Sequence, residues 1–173
     1  IDALLRQARV LKIDLPLSAV REIVDKGTVH KYAKGQLIQQ RGETAPRFYL
    51  LLSGSVRLNA HLADGREYVS IFIEPGNFWG VYPCLDDVKE SNDAVADVDA
   101  EILVVSARDL RDLMWGNRDI QEALVRFLCS RLRMAVEAVE QFATWSPDAR
   151  LAWRIVSMVK THGVASPGSR DTQ

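Results

Sequence analysis

The side chains of this chain that could do chemistry are few: Cys84 and Cys129, His30 and His61, the acids between Asp86 and Asp99, and the rings of Trp79 and Tyr82. Two widely separated cysteines make neither a disulfide framework nor a zinc or iron–sulfur ligand set, which need more ligands at closer spacing. Both read as buried thiols in a reducing cytosol. Asp86, Asp87, Glu90, Asp93, Asp97 and Asp99 could gather a divalent cation. They lack the regular ligand spacing of a calcium loop, however, and an acidic loop is more often a solvated face. Trp79 and Tyr82 could line a pocket for an aromatic or hydrophobic effector, although packing is the commoner use of such rings. Catalysis finds no support, because the sequence holds no nucleophile elbow, P-loop, HExxH or paired His/Cys constellation. No metal, cofactor or enzymatic activity is expected.

Composition bounds the scaffold that must position these residues. A chain of 173 residues, 47% hydrophobic and 26% charged, suits one domain with an appended helical segment and a real core. Its net charge of −1 is no footprint for nucleic acid, since a self-sufficient DNA-binding domain is usually basic. No apolar run reaches transmembrane length and no signal peptide opens the chain, so a soluble, cytoplasmic protein with no membrane partner is expected. The chain begins at Ile1 without Met, which suggests an excised or processed piece.

Gly35, Gly42, Gly54, Gly65, Gly76 and Gly80 punctuate the middle of the sequence, with short segments rich in Val, Ile, Leu, Tyr and Phe between them. Turn glycines at spacings of roughly seven to twelve residues suit an antiparallel roll or barrel, because each reversal falls where only Gly accepts positive φ cheaply. Strands are expected at Val29 to Tyr32, Leu37-Ile38, Arg47 to Leu52, Val56 to Ala60 and Tyr68 to Ile73, with one or two more between Ala94 and Ser106. The run Arg47 to Leu52 is apolar throughout, as a strand buried on both faces would be. Asp64-Gly65 is the strongest hairpin signal. The fold expected is mostly β with helices: an antiparallel β-roll of the double-stranded β-helix or jelly-roll type, flanked by N-terminal helices and a long C-terminal helix.

Helical periods occur at residues 1–12 and at Ser18 to Lys26, the latter closed by Gly27. Ser106-Ala107-Arg108-Asp109 fits a capping box at the start of another helix. From Ile120 to Thr144 one long helix is expected. Its positions Val125, Leu128, Leu132, Ala135, Val139 and Phe142 step by three and four, the seam of a two-stranded coiled coil. A second stripe at Leu124, Phe127, Met134 and Ala138 lies beside it. Two stripes call for two surfaces, the roll and a second copy of the chain, so a homodimer is expected over a helix simply buried in a monomer. Ser146-Pro147-Asp148 caps a last amphipathic helix over Leu151 to Lys160. A linker-like tail, Ser166-Pro167-Gly168-Ser169, follows it.

In order and spacing these residues resemble the CRP/FNR family of bacterial transcription regulators. Lys34-Gly35-Gln36-Leu37-Ile38 to Arg41-Gly42-Glu43 is similar to one family motif. Phe48-Tyr49-Leu50-Leu51-Leu52-Ser53-Gly54-Ser55-Val56 is similar to another. Gly65 and Pro75-Gly76-Asn77-Phe78-Trp79-Gly80 complete the pattern. The resemblance implies a cyclic-nucleotide-binding-like roll with N-terminal helices over 1–116, a dimerisation helix over 117–145, and the start of a DNA-binding domain over 146–173 without its helix-turn-helix. DNA would be bound through the part missing from this chain.

The resemblance also implies an effector pocket, and there the sequence departs from the family. The pocket positions are Trp79, Gly80, Val81, Tyr82, Cys84, Glu90, Ser91, Asn92, Arg131, Ala135 and Val136. The family's Gly-Glu pair, whose acid takes the ribose hydroxyl, becomes Gly80-Val81. Its phosphate-binding Arg-Ser/Thr-Ala becomes Glu90-Ser91-Asn92, a reversal of charge where a guanidinium would neutralise the cyclic phosphate. The paired hydroxyls that meet the purine become Ala135 and Val136. Binding of cAMP or cGMP in the usual mode is therefore not expected. Arg131 is kept, and pairing with Glu90 or exposure beside Glu137 are both open to it. For a haem-sensing relative, His30, His61 and Cys84 would be the ligands on offer, Cys84 foremost. The expected protein is the effector-sensing, homodimeric part of a CRP/FNR-like regulator with an unknown small-molecule effector. The alternatives are a stand-alone, ligand-free dimerisation module and, more remotely, an enzyme's regulatory subunit.

Overall fold

The computed structural model describes residues 15–61 and 65–162. The helix expected at 1–12, the hairpin tip at 62–64 and the tail at 166–169 lie outside them. Helix α1 (Leu17–Lys26) precedes strands β1 (Thr28–Tyr32), β2 (Leu37–Gln39), β3 (Arg47–Ser53), β4 (Val56–His61), β5 (Glu67–Ile73) and β6 (Phe78–Trp79). Helix α2 (Val81–Asp86), strands β7 (Asp93–Ala96) and β8 (Ala100–Ser106), and helices α3 (Ala107–Gly116), α4 (Arg118–Thr144) and α5 (Pro147–His162) follow. The strands pair antiparallel in two four-stranded sheets, ordered β1-β8-β3-β6 and β2-β7-β4-β5. This is the expected roll. The chain divides into two compact units, the first running to Phe127 and the second beginning at Leu128.

Alternation along β3 explains its unbroken apolar run. Tyr49 and Leu51 point into the roll, where they pack with Ile38, Val56, Ile73 and Ile102. Phe48 and Leu50 face the other way, toward Val20 and Ile23 of α1, Leu110 of α3, and Ile120 and Leu124 of α4. Phe78 continues that outer layer, with ring centroids 5.3 Å from Phe48 and 4.3 Å from Phe127. Each such side chain, once covered, contributes roughly 1.5–3 kcal/mol of transfer free energy, so both faces of β3 anchor the fold.

All six ladder glycines adopt φ between 81° and 90°. At Gly76 the physical reason is plain: Pro75-Gly76 fills the centre of a turn closed by Asn77 N–H donating to Glu74 O at 3.0 Å, and positive φ at its third position favours Gly. Gly27 closes α1 as expected. It caps α1 with φ −98°, extended and not left-handed. Gly is required there for space, since a Cβ would lie 2.6 Å from Leu103 Cδ1. Ser106 caps α3 as expected, its hydroxyl accepting from Asp109 N–H at 3.1 Å and donating to the Asp109 carboxylate at 2.5 Å.

In the second unit, Ser146 Oγ accepts from Ala149 N–H at 3.3 Å to begin α5. Trp145 and Trp153 meet edge to face, and Arg150 lies over the Phe142 ring. The coiled-coil seam of α4 is uncovered in the single chain: Leu132 is 66% exposed, Val139 67% and Phe142 74%, Val125 and Ala135 are exposed, and Leu128 is half-buried. The second stripe divides. Leu124 is buried and Phe127 rests on Phe78, whereas Met134 and Ala138 are exposed. Cys129, expected to be buried, is exposed.

Candidate functional site

Trp79 ends β6 and turns its indole into the roll, stacked on Tyr49 with centroids 4.8 Å apart and rings 9° from parallel. Gly80 then takes φ 81° and leads into α2. A Cβ on Gly80 would lie 2.1 Å from Arg47 O, so a close backbone crossing fixes this position as glycine. Helix α2 was not legible in the sequence. It is six residues long, with Pro83 in the first turn, where the missing N–H costs nothing. Its C-terminal end is held by Arg111, which donates from Nη1 to Cys84 O at 2.5 Å and to Asp87 Oδ1 at 2.9 Å. Asp87 is the one non-glycine residue described with positive φ.

Glu90 lies in the segment that joins α2 to β7, only 4% exposed. Its carboxylate Oε2 accepts from Gln39 Nε2 at 2.9 Å, and Gln39 Nε2 also donates to Asn92 O at 3.1 Å. Gln39 Oε1 in turn accepts from Trp79 Nε1 at 2.9 Å. Glu90 Oε1 is buried and has no hydrogen-bond partner among the described residues. Burial, with the Glu43 carboxylate nearby, pushes Glu90 up from 4.5 to about 7, against the opposing main-chain N–H of Arg47. Within the first unit the Glu90 side chain thus accepts from Gln39. Tyr82 and Ser91 share a short hydroxyl–hydroxyl hydrogen bond on the exposed rim, and Asn92 Nδ2 donates to Ser91 Oγ at 3.0 Å.

The structure thus gathers Trp79, Gly80, Val81, Tyr82, Cys84, Glu90, Ser91 and Asn92 in one region of the roll. Arg131, Ala135 and Val136 belong to the second unit, where Arg131 is half-buried and the other two are exposed. Cys84 is fully buried, and burial first, then Glu90, push its thiol up to about 12. In the fold as it stands the thiol is therefore neutral. His30 is exposed on β1, and His61 meets Asp93 at 2.5 Å. Four of the acids have structural work: Asp93 also accepts from Arg41 N–H, Asp99 accepts from Lys34 N–H, Asp97 faces Arg57, and Asp87 holds Arg111. Among the described residues no group of three His, Cys, Asp or Glu side chains is placed to hold a metal ion. Sequence reasoning missed Gln39, the residue that links Trp79 to Glu90.

A model of the cyclic nucleotide-binding domain matches residues 29–117, just over half of the chain. The chain belongs to that family. The CRP-like cAMP-activated global transcriptional regulator of Mycobacterium tuberculosis is 21% identical over 168 residues, 97% of this chain and 75% of that protein. The catabolite activator protein of Thermus thermophilus superposes with a TM-score of 0.70 at 25% identity, covering 86% of this chain and 70% of that one. The c-di-GMP responsive global regulator CLP of Xanthomonas campestris shares the fold, with a TM-score of 0.75 at 18% identity over 88% of this chain and 77% of that one. Within the cyclic nucleotide-binding family, the chain carries the effector domain of a CRP/FNR-type transcription regulator. The first of these relatives is named as a transcription regulator and none of the three as an enzyme. No described helix is long and apolar enough to cross a membrane.

Proposed function

We propose that this chain senses an effector and dimerises as part of a CRP/FNR-type regulator, and that its roll does not take cAMP in the family's usual mode. The observation that carries this reading is Glu90. The position that resembles the family's phosphate-binding arginine holds a buried carboxylate, committed to Gln39 through one oxygen. A cyclic phosphate placed there would set like charges together in a desolvated site, where the cost is greatest. Val81 is buried and apolar, so it offers no acid to a ribose hydroxyl.

The uncovered seam of α4 supports dimerisation, because a regular stripe of exposed Leu, Val and Phe side chains asks for a second helix. DNA would be read by a domain of which α5 is the first helix. An effector that shifts the long helices must bind the two arrangements with different affinity. Thermal unfolding tests the nucleotide part: a ligand at hundredfold excess over its Kd adds about 2.7 kcal/mol, so cAMP in the usual mode would raise Tm visibly. No rise is expected. Sedimentation equilibrium tests the seam, with the dimer mass expected and a monomer at about 50 μM refuting it.

A further inference from the structure

We propose that the Trp79–Gln39–Glu90 chain is a proton-binding site, in which the roll takes up and releases one proton at Glu90 Oε1 and passes the change to Trp79. The inference rests on reading this region as the roll's effector site, and it makes the proton a ligand of that site.

Hydrogen-bond direction fixes the chain. An indole N–H can only donate, so Gln39 Oε1 is committed to Trp79 and its amide NH₂ must face Glu90 and Asn92. Glu90 therefore receives a donor at Oε2 and, among the described residues, none at Oε1. An ionised oxygen sealed from water without a donor is costly, and a proton on it removes the charge. The surroundings press the same way. Glu43 sits in the adjoining turn, its main chain tied to that of Glu90: Gly42 N–H donates to Glu90 O at 2.8 Å and Glu90 N–H to Glu43 O at 3.1 Å. Tyr49 and Cys84 also face Glu90, and burial pushes the phenol and the thiol upward, so both are neutral. Against these stands the main-chain N–H of Arg47, which favours the anion. The balance puts the proton's release near neutral pH.

Release has a structural consequence. Glu90 ties the 87–92 segment to β2 through its carboxylate, and to the 42–43 turn through its main chain. The neutral acid suits this closed arrangement. The anion is relieved only by water or a new donor at Oε1, which requires the segment to loosen.

The test follows the indole Nε1–H resonance of Trp79 in the full 173-residue chain across pH, assigned by comparison with Trp79→Phe. A titration with a midpoint near neutral is expected. It should vanish in Glu90→Gln and shift to lower pH in Glu43→Gln, which removes the neighbouring charge. Should Glu90→Gln fail to fold, the infrared carbonyl band of the protonated acid in the wild type supplies the readout and should disappear over the same pH range. A Trp79 resonance unmoved between pH 5 and 9, or a titration that survives Glu90→Gln, overturns the proposal. Nucleotide binding is a separate outcome: cAMP could bind or not with this titration intact.

Discussion

Replacing Glu90 by Gln should change how stability depends on pH more than how stable the protein is. In the fold the Glu90 acid sits near 7, against 4.5 for the unperturbed group. Between those values the folded chain keeps a proton that the unfolded chain has released, so stability falls as pH rises. Linkage over that window makes the wild type about 2.5 kcal/mol less stable at pH 8 than at pH 5 from this group alone. Gln resembles the protonated acid. It can present its oxygen to Gln39 and place its NH₂ where Oε1 stood, so near pH 5 the two proteins should agree within about 1 kcal/mol. At pH 8 the variant should be the more stable by roughly 2–3 kcal/mol. Urea unfolding at both pH values measures the difference, and subtracting the variant's profile removes the titration of every other carboxylate. Parallel pH profiles for the two proteins would refute the reasoning, as would a wild type whose advantage over Glu90→Gln grows toward pH 8.

Other perturbations separate backbone conformation, packing and association. Gly80→Ala and Gly35→Ala both force a Cβ onto positive φ, which costs roughly 1–2 kcal/mol. Only the Gly80 substituent meets a carbonyl, at 2.1 Å, so it should lose about 1–3 kcal/mol more in denaturant titrations; equal losses would contradict the close crossing. Leu132→Glu places a charge in the α4 seam at a side chain 66% exposed in the single chain. It should halve the mass seen in sedimentation while leaving the far-ultraviolet circular dichroism of the roll intact, and an unchanged mass would remove α4 as the interface. Ser106→Ala removes the α3 cap and should cost about 1 kcal/mol, read from the urea midpoint.

The scaffold was legible because turns and buried strands declare themselves locally. Each ladder glycine marks a positive φ, and the apolar run at β3 announced a strand covered on both faces. The capping boundary at Ser106 was equally plain, since an acid three residues on serves the first-turn amides. The stretch from Phe78 to Asn92 was harder to read. A two-residue strand and a six-residue helix containing Pro83 fall below the length at which periodicity speaks. Gln39 was invisible for a different reason. A glutamine ending a short strand beside Gln40 reads as solvent-facing, and only the tertiary approach of Trp79 and Glu90 makes it a buried relay. Gly27 was legible as a helix end, but the reason it is glycine is tertiary, since the helix end needs room beside Leu103.

The sequence substitutions at Val81 and Glu90 could have left an adapted nucleotide pocket. The structure adds a carboxylate 4% exposed and joined through Gln39 to an indole stacked on Tyr49. On the proposed reading, the roll has kept the family's scaffold and lost its anion site. Isothermal titration of cAMP into the full chain at neutral pH tests it most directly. No saturable heat is expected up to about millimolar ligand, which bounds any binding free energy at roughly −4 kcal/mol. A saturating isotherm with micromolar Kd and one cAMP per chain would contradict it.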